Sequence, residues 1–108
     1  MDLSTLTDEL DTIASNYAKQ FGITRDSNWF ILKLQEEMGE LIQSYLMKTG
    51  QARQKGKTKQ EIDDDFRKEV ADVFGMVLIF AKHHQIDLEQ ALEEKWMIWK
   101  KKPTNLDV

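Results

Sequence analysis

A chain of 108 residues, 41% hydrophobic and 31% charged, has the composition of one soluble globular domain, with room for a modest core that a partner chain could complete. Its formal charge of −4 and pI near 5.1 give no reason for wholesale attraction to nucleic acid or to an anionic membrane, and neither is expected as a partner. The absence of cysteine excludes disulfides, thiolate metal sites and a cysteine nucleophile. The longest apolar run, Val73 to Ala81, is nine residues broken by Gly75, against the roughly 20 needed to cross a bilayer. The acidic N-terminus is interrupted by polar residues and resembles neither a secretory signal nor a transit peptide, so the expected location is cytoplasmic.

Apolar residues recur with helical spacing nearly everywhere, and no period-2 strand or internal repeat is evident. The first helix is expected over about Leu3 to Phe21, with Leu3, Leu6, Leu10, Ile13, Tyr17 and Phe21 in one stripe and Gly22 ending it. Asp26 or Ser27 caps a second helix, about Asn28 to Lys48, which ends near Gly50. A polar loop, TGQARQKGKT, precedes a Thr58-x-x-Glu61 capping box and a third helix reaching about His84. Asp63, Asp64 and Asp65 lie in its first turns, where negative charge suits the helix dipole. Asp87 with Gln90 opens a fourth helix, closed by Lys100 to Lys102 and Pro103, with Leu88, Leu92, Trp96 and Trp99 as its packing stripe. These elements predict an all-α antiparallel four-helix bundle in a single domain spanning residues 1–108, completed by oligomerisation.

Acids stand where such a bundle should be dry. Phe30, Leu34, Met38, Leu41 and Tyr45 share one face of the second helix, while Trp29, Lys33, Glu36, Glu37 and Glu40 fill the adjoining arc. In the third helix Phe66, Val70, Val73, Phe74 and Val77 form the main stripe; Glu69 and Asp72 lie on a flank shared with Met76, Ile79 and Phe80. If these faces meet, four or five carboxylates converge with too little positive charge beside them, which costs several kcal/mol unless a cation enters. Oxygen ligands alone suit Mg²⁺, with Mn²⁺ the alternative, and Mg²⁺ held by a few carboxylates normally keeps positions open for substrate phosphates.

The pattern Glu36-Glu37-x-x-Glu40 followed by Glu69-x-x-Asp72, together with EEMGEL and EVADVFGMVLIFAKHHQIDLEQALEEKW, resembles the MazG-like all-α nucleoside triphosphate pyrophosphohydrolases from about residue 28 to residue 97. The resemblance implies a homo-oligomer, a dimer or tetramer, that hydrolyses a nucleoside triphosphate to the monophosphate and pyrophosphate with Mg²⁺ assistance, in a house-cleaning role. It implies metal binding by Glu36, Glu37, Glu40, Glu69 and Asp72, with Glu36 or Glu37 alternatively the base toward the attacking water. Family members often carry an asparagine that helps hold the nucleotide four residues after the lysine matching Lys95. Trp99 stands there in this chain.

Other side chains have plainer roles beside the functional ones. Trp29 is core or interface, or stacks on the base. Lys33 is an intrahelical ion-pair partner, or a phosphate ligand. Arg53, Lys55, Lys57 and Lys59 form a solvated loop or one that closes on phosphate, with Lys55 the candidate contact. His83 and His84 suit a helix C-terminus through the dipole. Gly39 and Gly75 suit close helix approach. Two further function classes fit the same pattern: a phosphoribosyl-ATP pyrophosphohydrolase-like biosynthetic enzyme, and a non-catalytic helical module whose acids hold a structural cation or a basic partner.

Overall fold

Each helix begins where a short polar side chain can satisfy a free backbone N–H. The Thr5 N–H donates to Asp2 at 2.7 Å, that of Trp29 to Asp26 at 2.8 Å and that of Gln90 to Asp87 at 3.1 Å. Thr58 and Glu61 form the reciprocal capping box, at 3.1 and 2.9 Å. In this computed structural model, which describes residues 1–101, the caps open α1 (Leu3–Gln20), α2 (Ser27–Lys48), α3 (Lys59–His83) and α4 (Leu88–Lys95); a 3₁₀ turn, Met97–Lys101, follows. Lys102 and Pro103, expected to close the last helix, lie outside the described residues. Gly22 and Gly50 end α1 and α2 in the left-handed region, at φ +66° and +79°, where glycine lacks the steric penalty of other residues. At the end of α3 the corresponding position is Gln85, at φ +56°.

The α2–α3 pair dominates the packing, and its register is antiparallel. Lys48 meets Asp63, Tyr45 meets Phe66, Glu40 lies with Glu69, and Phe30 stacks on His83. The core sits toward the Phe30 end, where Phe30, Met76 and Ile79 are buried against Leu10, Ala14, Trp29, Leu34 and Phe80. α1 crosses this end of α3 on its small and polar face: Thr7, Asp11 and Ala18 are buried. Gly75 admits Leu10, which would lie 3.6 Å from an added Cβ; Gly39 faces open space and serves no close approach among the described residues.

Periodicity points to faces that the fold covers only in part. In α1 the expected stripe is cut short, for Ile13, Tyr17 and Phe21 are 68, 54 and 58% exposed. In α3 the flank of Glu69, Met76 and Ile79 turns toward α2, while Val70 and Phe74 of the expected main stripe are about half exposed. Both helices are apolar on more than one side, so spacing alone does not tell which side a neighbour in the same chain covers.

The fourth helix also departs from expectation. α4 ends at Lys95, buries no residue and packs along none of the long helices; Trp96 is 43% exposed. The radius of gyration, 17.1 Å, exceeds the roughly 13 Å of a compact chain this long. Among the described residues no helix is long and apolar enough to cross a membrane.

Candidate functional site

The capping box fixes where α3 starts, the helical repeat places Glu69 and Asp72 three residues apart on it, and the antiparallel register carries them to Glu37 and Glu40 of α2. One carboxylate oxygen from each of Glu37, Glu40 and Glu69 lies within 4.8 Å of the others. The Glu37 side chain is only 12% exposed. One oxygen of Glu37 and one of Glu69, both Oε2, are buried with no hydrogen-bond partner, as is the hydroxyl of Ser44 two turns along α2 from Glu37. Buried polar atoms are nearly always partnered, so three orphans together mark a place that the chain alone does not satisfy.

The electrostatics agree. Burial first, then the charges of Glu40 and Asp72, push the Glu37 carboxyl up to about 7 against the pull of Lys33. Glu69 is also raised, by burial and then by Glu40, Asp72 and Asp65. Lys33 reaches Glu36 at 3.0 Å and Glu37 at 3.7 Å, and the hydrogen bond to Glu36 foremost raises its own pKa. One partly exposed ammonium does not neutralise the group.

Of the residues singled out from sequence, Glu37, Glu40 and Glu69 come together, with Asp72 acting on Glu37 and Glu69 by charge from an exposed position. Glu36 is 56% exposed and occupied with Lys33. Trp29 packs edge-on against Phe30, with Arg25 over its face at 5.8 Å, in the core cluster. Lys55 sits in the exposed turn between α2 and α3 at φ +55°. Lys95 and Trp99 belong to α4 and its 3₁₀ extension, away from the α2–α3 packing. The loop residue that does reach the acids is Lys57. It contacts Asp65 at 2.5 Å and lines a cavity of about 280 Å³ with Glu40, Ser44 and Glu69.

A larger cavity, about 340 Å³, lies near the start of α1 and the end of α3, lined by Leu3, Thr7, Asp8, Lys82 and Leu88 among others. Its one cation, Lys82, is already bound to Asp8 at 3.1 Å and Asp11 at 3.2 Å. It offers a ligand less than the carboxylate cavity does. Beside it lies a cluster that spacing did not reveal: Asp11 accepts from Arg25 at 2.8 Å and contacts His83 at 3.1 Å. These partners are 14 and 72 residues away in sequence, so no local pattern joins them; the one hint is an acid on the Thr7–Asp11–Ala18 line of α1.

No family model, curated protein or solved structure matches the chain.

Proposed function

We propose that the chain is a Mg²⁺-dependent nucleoside triphosphate pyrophosphohydrolase of the MazG-like kind, cleaving a nucleoside triphosphate to monophosphate and pyrophosphate in the cytoplasm, with Mn²⁺ as the alternative metal. The observation that carries this reading is the meeting of Glu37, Glu40 and Glu69 with two buried carboxylate oxygens unpartnered. An all-oxygen donor set fits a hard divalent cation.

Glu37, Glu40 and Glu69 would hold the ion, with Asp72 adding negative charge beside them. A divalent ion held there would supply neutralisation of the triphosphate and a lowered pKa for the attacking water. Glu37, whose carboxyl titrates near 7, and Glu36, its exposed neighbour, are the two groups placed to take a proton from the attacking water. The α2–α3 packing fixes Glu37 and Glu40 against Glu69, and burial excludes competing water from one oxygen on each side.

Homo-oligomerisation belongs to the same proposal. Ile13, Tyr17 and Phe21 on α1 and Val70 and Phe74 on α3 leave apolar surface exposed along two helices, and such surface ordinarily marks an interface. The deciding experiment is pyrophosphate release from a panel of nucleoside triphosphates with and without Mg²⁺. Release that needs Mg²⁺ is expected. No turnover of any triphosphate, in a protein that binds Mg²⁺ and scatters light as an oligomer, would reduce the cluster to a structural cation site.

A further inference from the structure

The cavity beyond the acids has more room and a different chemistry than ion binding requires. Its volume of about 280 Å³ far exceeds the roughly 10–15 Å³ that a single bound water needs. Its polar lining is Glu40, Gln43, Ser44, Lys57, Asp65 and Glu69. Three acids against one lysine repel a bare anion and leave a lone cation much space to spare. Both features suit an anion that arrives with its own divalent ion.

Ser44 supplies the independent sign of a ligand. The residue is 7% exposed and its hydroxyl has no partner. A hydroxyl inside a helix usually donates to the carbonyl four residues back, as Thr7 does to Leu3 at 2.6 Å and Thr12 to Asp8 at 2.9 Å. Ser44 does not, and it lines the cavity.

Lys57 lines the same cavity from the loop, and the loop is built to hold it. Its N–H donates to the Gln54 carbonyl at 3.0 Å, the Gln54 side chain donates to the Met47 carbonyl at 3.1 Å, and the capping box begins at the next residue. Its ammonium rests on Asp65, with both side chains 43% exposed. A surface ion pair of this kind contributes little and exchanges readily.

We propose that Ser44 and Lys57 form a phosphate subsite beyond the carboxylates, which receives the pyrophosphate end of a Mg²⁺-bound triphosphate, Lys57 exchanging Asp65 for a phosphate oxygen. The identity of the ligand rests on the pyrophosphohydrolase reading above; the subsite itself rests on the cavity, the orphan hydroxyl and the tethered lysine.

Calorimetric titration of the full chain with inorganic pyrophosphate in excess Mg²⁺ tests it. Lys57→Ala should bind at least about 10-fold more weakly, since a charge-assisted hydrogen bond to phosphate is lost, and Lys57→Arg should recover most of that. Ser44→Ala should bind about 3-fold more weakly, yet without ligand it should melt no lower than wild type, because the hydroxyl it removes has no partner to lose. Lys55→Ala should stay within about 2-fold of wild type. Affinity for Mg²⁺ alone should survive in Lys57→Ala. Wild-type affinity for magnesium pyrophosphate in both Lys57→Ala and Ser44→Ala, or no binding by wild type, overturns the subsite even if triphosphates are hydrolysed. Pyrophosphate binding that is lost in Lys57→Ala, in a protein that hydrolyses no triphosphate, upholds the subsite and overturns the enzymatic reading.

Discussion

Asp11 and Glu37 are withdrawn from water to the same degree, their side chains 13 and 12% exposed, yet the fold treats them in opposite ways. Around Asp11 it gathers Arg25, Lys82 and His83, all within 3.2 Å. Burial by itself would raise the Asp11 pKa, but hydrogen bonds from Arg25, His83 and Lys82 override it and hold the carboxyl at about 2. Around Glu37 the fold gathers Glu40, Glu69 and Asp72, and burial with the charges of Glu40 and Asp72 pushes it to about 7. One carboxylate is neutralised by the chain and joins α1 to α3. The other keeps an unpartnered oxygen and an unfavourable charge, which folding alone gives no reason to retain. The difference separates an acid that serves the fold from one that serves a ligand.

The same isosteric change at the two places should therefore have opposite consequences. On the proposed function the largest effect is on turnover. Glu37→Gln should lower Mg²⁺-dependent pyrophosphate release by at least about 100-fold, because a charge is lost from the site that holds the metal; Asp72→Asn, exposed and acting by charge, should lower it less. Undiminished release in Glu37→Gln would remove the acids from the chemistry. On stability, Asp11→Asn should cost about 2–4 kcal/mol by leaving Arg25 and Lys82 without their shared carboxylate. Glu37→Gln in chelator should instead stabilise by about 1–2 kcal/mol, and Mg²⁺ should narrow or reverse that gain, since wild type binds the ion and the variant does so poorly. Chemical denaturation of both variants in chelator reads the two signs side by side. Equal destabilisation would make Glu37 as structural as Asp11.

How much of each cluster was legible follows from how it is assembled. Glu37, Glu40, Glu69 and Asp72 lie on two helices joined by one short loop. Three-residue spacing and a visible capping box suffice to bring them together, and the caps of α2, α3 and α4 are equally plain because capping is local chemistry; the Asp2 cap of α1 is the one that spacing left unmarked. Asp11, Arg25 and His83 come from α1, the turn after it and the last turn of α3, and meet only once α1 has chosen which face to lay on α3. Spacing does not reveal that choice. Leu3 to Phe21 looked like the buried stripe, whereas the chain buries the small Thr7–Asp11–Ala18 line and leaves Ile13, Tyr17 and Phe21 outside. The tryptophans likewise suggest a packing stripe for α4, yet among the described residues Trp96 stays 43% exposed. Apolar residues announce that a surface is to be covered and leave open by what.

Acid and base should also separate the two centres in the metal-free protein. Asp11 titrates below its ordinary 3.8, so its stabilisation is complete above that value and is lost as pH falls through about 2. Glu37 titrates above its ordinary 4.5. Between 4.5 and about 7 the folded chain holds a proton that the unfolded chain has released, so stability falls as pH rises, by at most about 3 kcal/mol. In chelator the stability maximum should lie near pH 4 to 5, below the usual range of about 5 to 8. Mg²⁺ or Glu37→Gln should each remove the decline toward neutral pH, and Asp11→Asn should flatten only the acid limb. A metal-free profile level from pH 4.5 to 7.5 would mean that the Glu37 cluster is relieved by water or by a rearrangement, and the contrast between the two acids would fail.

The smallest expected effect comes from removing one cation beside each acid. Lys82 is one of three groups on Asp11 and is 40% exposed; Lys33 is 30% exposed and approaches Glu37 only to 3.7 Å. Neither Lys82→Ala nor Lys33→Ala should cost more than about 1 kcal/mol, since half-exposed ion pairs are screened by solvent. Their effects on the neighbouring carboxyl should nevertheless differ. With Lys82 gone, Arg25 and His83 still donate to Asp11, so its titration should stay well below the ordinary carboxylate range. With Lys33 gone, the one cation drawing the Glu37 pKa down is lost while burial, Glu40 and Asp72 all remain, so Glu37 should titrate higher still. Carboxyl-carbon NMR titration of the two variants, in chelator, reads both shifts directly. A Glu37 resonance that does not move upward in Lys33→Ala would show that the Lys33 ammonium does nothing to offset burial and the neighbouring acids at Glu37.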